Sequence, residues 1–347
     1  MGTRKWIGAG VFVAILAGVL VANPSMFRDN RPYYDGTCRP VALAAGAGDI
    51  TIDSQRGIAY VAYLDRTPNP EGKTARGTVM LVDLNATEPR VRAALVTDPP
   101  EFRPVALSLF APARRLFVVG SGSPASIHLF EQASTGAFAL VRSVSDPLLV
   151  NPTSVVAAGP NQFYATTDVG WRDPGATSWL SRWWRLAFSP SLSTVVFYDG
   201  QKLREVAGAL TSAAGIDMSV DGKTIYVSEM GAKRLRLYTR DSLTGALTSQ
   251  GSVKLPSLPS SVHVDARGFA WVAAYPSINV ALKALAGRQA KIPSEVLRVS
   301  TGDSQAMSFF RDGGTQIAGA STASAYGKDL VIGASADRKL LLCRSTR

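Results

Sequence analysis

The chain has 347 residues, 46% of them hydrophobic and 18% charged, with 31 glycines and 20 prolines. That composition excludes a disordered chain, and it suits many short strands joined by turns better than a helical bundle. Two cysteines and two histidines exclude a multi-cysteine zinc site, an iron–sulfur cluster and a His-rich metal centre, while the net charge of +11 favours acidic surfaces without naming one.

Residues 1–22 read as an export element. Arg4 and Lys5 precede an uncharged run, Trp6–Ala22, of 17 residues. That is slightly long for a signal-peptide core and at the short limit for a spanning helix. Cleavage after Ala22 would put Leu20 where a small residue is needed. The segment reads as an uncleaved hydrophobic anchor helix or a cleaved signal, with a buried core helix as the remaining alternative, and the body is expected to be exported, membrane-anchored or secreted/periplasmic. Residues 23–37 form a linker and 38–347 one domain. Cys38 and Cys343, at opposite ends of that domain, invite a disulfide in an oxidising compartment; the alternative is two unrelated buried thiols.

Six strand–turn–strand phrases follow. They begin near Asp49, Val105, Ser154, Gly215, Ser261 and Thr322, and anchoring each on its second residue gives Ile50, Ala106, Val155, Ile216, Val262 and Ala323. The anchors lie 46 to 61 residues apart, with turn signals such as Asp221-Gly222 between strands. This pattern predicts an all-β fold, a six-bladed β-propeller behind the N-terminal hydrophobic helix. Ser178–Phe188 departs from strand periodicity. Trp179, Trp183 and Trp184 share one helical face with Leu180, Ala187 and Phe188, opposite Arg182 and Arg185. Such a helix either lies at a lipid surface or packs on the propeller top.

Familiar catalytic motifs are missing. Gly72-Lys73-Thr74 and Gly222-Lys223-Thr224 lack the first glycine of a phosphate loop, and Gly120-Ser121-Gly122-Ser123 is not a nucleophile elbow. His128 and His263 sit in strand-like SIHLF and SVHVD, where a satisfied core or rim imidazole is the ordinary outcome.

Segments GTVMLVDLN (Gly77–Asn85), GPNQFYATTD (Gly159–Asp168), GIDMSVDGKTIYVSE (Gly215–Glu229), PSEVLRV (Pro293–Val299) and STASAYGKDLVIG (Ser321–Gly333) resemble the paraoxonase/arylesterase family, from Cys38 to Cys343. The resemblance implies a six-bladed propeller, a disulfide at the terminal cysteines, a retained N-terminal hydrophobic segment, and calcium-dependent hydrolysis of lactones and aryl esters. It also implies a hydrophobic helix, here near Ser178–Phe188, over the pocket.

At the positions where the family holds two calcium ions, this chain departs. The family's Glu-Asp is Gly48-Asp49, its Asn-Asp is Thr153-Ser154, its Asn before Gly-Ile is Ala214, and its Asp-Asn is Ser260-Ser261. The proposed catalytic His is Val105, and its partner His aligns near Ser121. Only Asp49 remains among the carboxylates of the structural calcium. Calcium needs six to eight oxygen ligands, several of them anionic, so no calcium, no other metal and no other cofactor is expected.

Three functions follow from this set. The first is a metal-independent propeller binding a small apolar ligand or partner with its old pocket face. The second is an enzyme with relocated chemistry, resembling the metal-free strictosidine synthases, with Asp49, Asp168, Asp217 and Glu229 as the available acids. The third is a protein working at a lipid surface through its N-terminal segment and tryptophan helix. No nucleic-acid partner is expected, and no catalytic residue can be assigned.

Overall fold

The computed structural model describes residues 31–65, 76–168, 191–285, 291–300, 302 and 304–345. The expected export segment and the Ser178–Phe188 helix with Trp179, Trp183 and Trp184 lie outside them. β1 (Gly36–Ala42) is followed by β2 (Gly46–Asp53), β3 (Ile58–Leu64), β4 (Gly77–Asp83) and β5 (Val91–Ala93), which form blade one. Blade two is β6 (Pro104–Phe110), β7 (Arg115–Gly120), β8 (Ser126–Gln132) and β9 (Phe138–Val144). Blade three is β10 (Pro152–Gly159), β11 (Gln162–Asp168), β12 (Ser193–Tyr198) and β13 (Leu203–Leu210). Blade four is β14 (Ala213–Met218), β15 (Thr224–Glu229), β16 (Arg234–Arg240) and β17 (Leu247–Lys254).

Blade five has a split inner strand, β18 (Leu258–Pro259) and β19 (His263–Val264), then β20 (Ala270–Tyr275), helix α1 (Ile278–Leu285), β21 (Ser294–Ser300) and β22 (Gln305–Asp312). Blade six is β23 (Ala320–Tyr326), β24 (Asp329–Ala334) and β25 (Lys339–Ser345), and β1 returns as its outermost strand. The fold is the expected six-bladed β-propeller.

Its central strands read as nearly continuous apolar runs because both faces are covered. In β3, IAYVAYL, five of the seven residues are buried. The core is divided accordingly, with one apolar cluster at each of the six blade–blade interfaces. Phe117 of blade two meets Phe163 of blade three at 5.9 Å between ring centres, and Tyr60 of blade one meets Phe138 of blade two edge-on at 5.2 Å. No blade can bury its faces alone, so closing the ring completes the core.

Closure uses both chain ends. β1 pairs antiparallel with β25, placing Cys38 directly opposite Cys343. The two are joined as a disulfide, with Cα atoms 4.0 Å apart, so the thiol alternative is excluded. Helix α1 was not legible as a helix. Its apolar Ile278, Ala281, Leu282 and Ala284 do follow helical spacing, but eight residues are too few to stand out from the surrounding strands. Among the described residues no helix is long and apolar enough to cross a membrane.

Candidate ligand cavity

The inner strands share a local irregularity. Pairing with the second strand slips between Ala47 and Asp49, Pro104 and Ala106, Pro152 and Ser154, Ala213 and Gly215, and Ala320 and Thr322. The residue left over in each case is Gly48, Val105, Thr153, Ala214 or Ser321. In blade five the strand breaks outright, and Ser260 and Ser261 fall in the gap between β18 and β19. A bulge leaves a residue outside the ladder and re-aims its side chain. Here all six interruptions point to one place, a cavity of about 430 Å³ at the tunnel mouth.

Gly48, Asp49, Val105, Ser121, Thr153, Ser154, Ala214, Ser260 and Ser261 all line this cavity, as does Asp168. The sequence reading omitted Ser321, Asn151, Met230, Tyr275 and Leu285, which line it too. Ser321 had a signal: it stands two residues before its anchor Ala323, as Gly48, Thr153, Ala214 and Ser260 stand before theirs. Blade two hid the rule because its anchor in phase is Leu107 rather than Ala106.

The rim hydroxyls stitch neighbouring blades together. Thr153 Oγ1 donates to the Ala213 carbonyl at 2.8 Å, Ser260 Oγ to Ser321 O at 2.9 Å, and Ser321 Oγ to Ala47 O at 3.1 Å. Ser154 Oγ accepts from the Ile216 N–H at 3.3 Å. Between blades four and five the backbones approach so closely that a Cβ on Gly215 would lie 2.8 Å from Ser261 Cα and Val262 N. Ser261 is the exception among these hydroxyls. It is buried, and its Oγ has no hydrogen-bond partner among the described residues, so a cavity-lining polar group stands unsatisfied there.

Just within the mouth lies a charged cluster drawn from four blades. Asp49 Oδ2 accepts from the Leu107 N–H at 3.1 Å, while Oδ1 meets His263 Nε2 at 2.8 Å and accepts from Thr322 Oγ1 at 2.9 Å. Asp217 accepts from the Val264 N–H at 2.6 Å and from its own neighbour Met218 at 2.8 Å. Burial alone would push His263 down, but the charge and hydrogen bond of Asp49, with the charge of Asp217, raise its pKa above the ordinary value. Burial raises Asp217 to about 6, against the pull of His263.

Asp49 is thus satisfied by a backbone amide together with the His263 and Thr322 side chains. His263 is a satisfied imidazole as expected, bonded to Asp49 Oδ1 and Thr322 Oγ1. The other acids divide. Glu229 is fully buried and held by Arg234 and Arg236, so it serves blade packing and does not line the cavity.

His128 does behave as a satisfied rim imidazole. It bonds Ser143 Oγ at 2.8 Å and Ser126 Oγ at 3.0 Å, edge-on to Phe102. Burial pushes its pKa down to about 4. Between that value and about 6.5 the unfolded chain binds the extra proton, so stability falls as pH drops through this window. His128→Gln should remove that loss: the stability difference between wild type and variant, read by thermal melts from pH 7 to 4, is expected to shift in the variant's favour on acidification. An unchanged difference would refute the buried neutral imidazole.

Among the described residues, no group of three or more His, Cys, Asp or Glu side chains is arranged to hold a metal ion. The described lining contains no Lys or Arg, and its other walls are apolar, including Val105, Ala214, Met230 and the Leu285 end of α1. A second, polar groove of about 610 Å³ adjoins it through Ser121, Asn151 and Pro152.

The chain is a closed six-bladed propeller with a partly apolar cavity lined by its inner strands. The family model described as Arylesterase matches residues 57–344, and the chain belongs to the arylesterase family. It is 29% identical over 301 residues to serum paraoxonase/arylesterase 1 of Homo sapiens, covering 83% of this chain and 81% of that one. To serum paraoxonase/lactonase 3 of Mus musculus it is 29% identical over 307 residues, covering 84% of each. Among solved structures it is similar in fold to a luciferin-regenerating enzyme (TM-score 0.55, 12% identity, covering 90% of this chain and 96% of that one). A gluconolactonase from Xanthomonas campestris aligns with TM-score 0.52 and 18% identity, covering 90% of this chain and 99% of that one.

Proposed function

We propose that this chain is an exported, metal-independent member of the arylesterase family that binds a small, neutral, largely apolar molecule in the tunnel-mouth cavity and does not carry out calcium-dependent ester hydrolysis. The observation that carries this reading is the state of Asp49. It is the one carboxylate at the bulge ring whose position the family would give to calcium, and its oxygens are already taken by His263, Thr322 and the Leu107 amide. The remaining ring positions offer neutral hydroxyls, a methyl and a glycine. That donor set does not suit calcium, which needs several anionic oxygens to offset its dehydration.

The volume suits one small ligand. With no described basic residue in the lining and Asp168 beside it, the cavity favours a neutral guest over an anion. Ser261 Oγ supplies a free hydrogen-bonding group to orient it, Asn151 lies at the junction with the polar groove, and Met230 and Leu285 supply apolar contact. Export is supported by the disulfide, by the basic start and apolar run at residues 4–22, and by likeness to relatives named as serum proteins. The body then works outside the cytoplasm, secreted or held by the N-terminal segment.

The test is the full chain assayed on lactones and aryl esters, with millimolar calcium and with chelator, beside thermal melts in both buffers. No calcium-dependent turnover and no shift in Tm are expected, because only a ligand bound by the folded state raises it. A rise of several degrees in calcium, abolished by Asp49→Ala, would overturn the reading.

One observation favours a second reading, relocated hydrolysis: unpaired Ser261 is two residues before His263, which is paired to Asp49. The Ser261 hydroxyl makes no hydrogen bond to that imidazole, however, so the base would not reach its nucleophile without rearrangement. Chelator-insensitive ester turnover lost in Ser261→Ala would promote this reading to first place.

A further inference from the structure

The polar groove beside the tunnel-mouth cavity differs from it in chemistry. Its described walls are residues 121–125, the loop joining β7 to β8, and residues 145–152, the connection from β9 into β10. It encloses about 610 Å³ and meets the cavity where Ser121, Asn151 and Pro152 line both. Three of its residues are prolines, Pro124, Pro147 and Pro152. Their fixed φ leaves these loops less freedom to lose when a guest arrives. No Lys or Arg stands in the described lining of either space, so neither offers a counter-charge to a phosphate or a carboxylate.

The groove is richer in acceptors than in donors. Ser121 Oγ donates to the Arg103 carbonyl at 3.1 Å and Ser145 Oγ to the Ala125 carbonyl at 3.0 Å, which commits each hydroxyl proton and leaves each oxygen able to accept. Asn151 gives an N–H to the Asp168 carbonyl at 3.3 Å and keeps its amide oxygen as an acceptor. Asp146 takes the Leu148 N–H on Oδ1 at 2.9 Å and carries a second carboxylate oxygen. A guest must therefore bring several donors, spread along the groove rather than gathered on one atom. On a neutral molecule such donors are hydroxyls. We propose that the groove is a subsite for a polyhydroxylated group, such as a sugar, and that the guest is a neutral glycoside whose apolar part fills the tunnel-mouth cavity. The inference rests on the neutral, apolar reading of that cavity and adds the other half of the guest. Ser121 and Asn151 stand where the two halves join.

The experiment is calorimetric titration of the full chain, in chelator, with phenol, methyl glucoside, phenyl glucoside and tyramine. Phenyl glucoside is expected to bind about ten-fold more tightly than phenol or methyl glucoside, because joining the two parts makes the second contact intramolecular. Two variants test the groove by different means. Asp146→Asn keeps an acceptor for the Leu148 amide and turns the other oxygen into a donor, while Ser145→Trp, at an exposed position, fills the groove. Neither residue lines the cavity. Each variant should cut the advantage of the glucoside to roughly three-fold or less and leave the Kd of phenol unchanged. Phenyl glucoside no tighter than phenol, or an advantage that survives both variants, overturns the subsite. Variants that weaken phenol as much as the glucoside overturn it too, since cavity and groove would then be one space. Tyramine is a phenol carrying a single ammonium. Its binding more tightly than phenyl glucoside, with release by Asp146→Asn, would put a cation in place of the hydroxyls and overturn the assignment. Binding of none of the four probes is a different failure: it overturns the small-guest reading of the cavity on which this inference rests.

Discussion

Reduction of the Cys38–Cys343 disulfide is expected to lower the Tm of the protein by roughly 5–10 °C, the largest effect of any single covalent change. The bond closes a ring of sequence separation 305. Loop-closure entropy rises with ring size, and removing such a bond typically costs about 2–5 kcal/mol. Position adds to length here. β1 is the outermost strand of the blade whose other three strands are the last in the chain, so the bond fastens the ring where it would otherwise open. Cys343 is fully buried against the interface of blades five and six, so releasing β1 also uncovers apolar surface. Melts with and without a thiol reductant test this, with Cys38→Ser/Cys343→Ser as a control that reductant should not affect. A wild-type Tm indifferent to reductant would show that strand pairing alone closes the propeller.

Glu229→Gln should be nearly as damaging at neutral pH and progressively less so in acid. Glu229 Oε1 accepts from Arg234 Nε at 2.8 Å and Arg236 Nε at 2.6 Å, and Oε2 accepts from Arg234 and from the Thr211 N–H, each at 2.9 Å. Burial works to raise its pKa, but the hydrogen bonds from the two guanidinium groups outweigh it and hold the carboxyl below its ordinary value. The variant leaves two partly buried guanidinium groups side by side with no counter-charge, a loss of about 3–5 kcal/mol. The sign with pH follows. A depressed carboxyl pKa contributes stability that is present above the unfolded value, near 4.5, and disappears as pH falls through the lower folded value. The gap between wild type and Glu229→Gln, measured by denaturant melts, should be widest near pH 7 and narrow below about pH 4. A gap constant across that range would mean that shape, not charge, is what Glu229 provides.

The fold was largely legible because each blade repeats the same phrase. Inner strands carry anchors such as Ile50, Val155 and Ile216 at similar spacing, and central strands are apolar on both faces. The cavity was legible only through resemblance, position by position. Nothing in the local pattern around Thr153 or Ala214 announces a bulge, since a bulge is a mismatch between two strands and not a property of one. The partner of His263 was not legible for a related reason. Its partner Asp49 lies 214 residues away, and only closure of the ring brings them together. Within SVHVD the imidazole reads as one alternate residue of a strand, with no sign of which way that strand faces.

The bulge ring also bears on how such a protein changes over generations. Gly48, Val105, Thr153, Ala214 and Ser321 stand outside their strand ladders, so exchanging one leaves the backbone hydrogen bonds of its blade in place. Replacement at Val105 or Ala214 alters the cavity lining without removing an inter-blade hydrogen bond, whereas Thr153 and Ser321 also bridge neighbouring blades. Inheritance of the architecture and inheritance of the chemistry are thus uncoupled in this molecule. A descendant can keep every blade, and close likeness to its ancestors, yet acquire a different guest through a few substitutions at one ring.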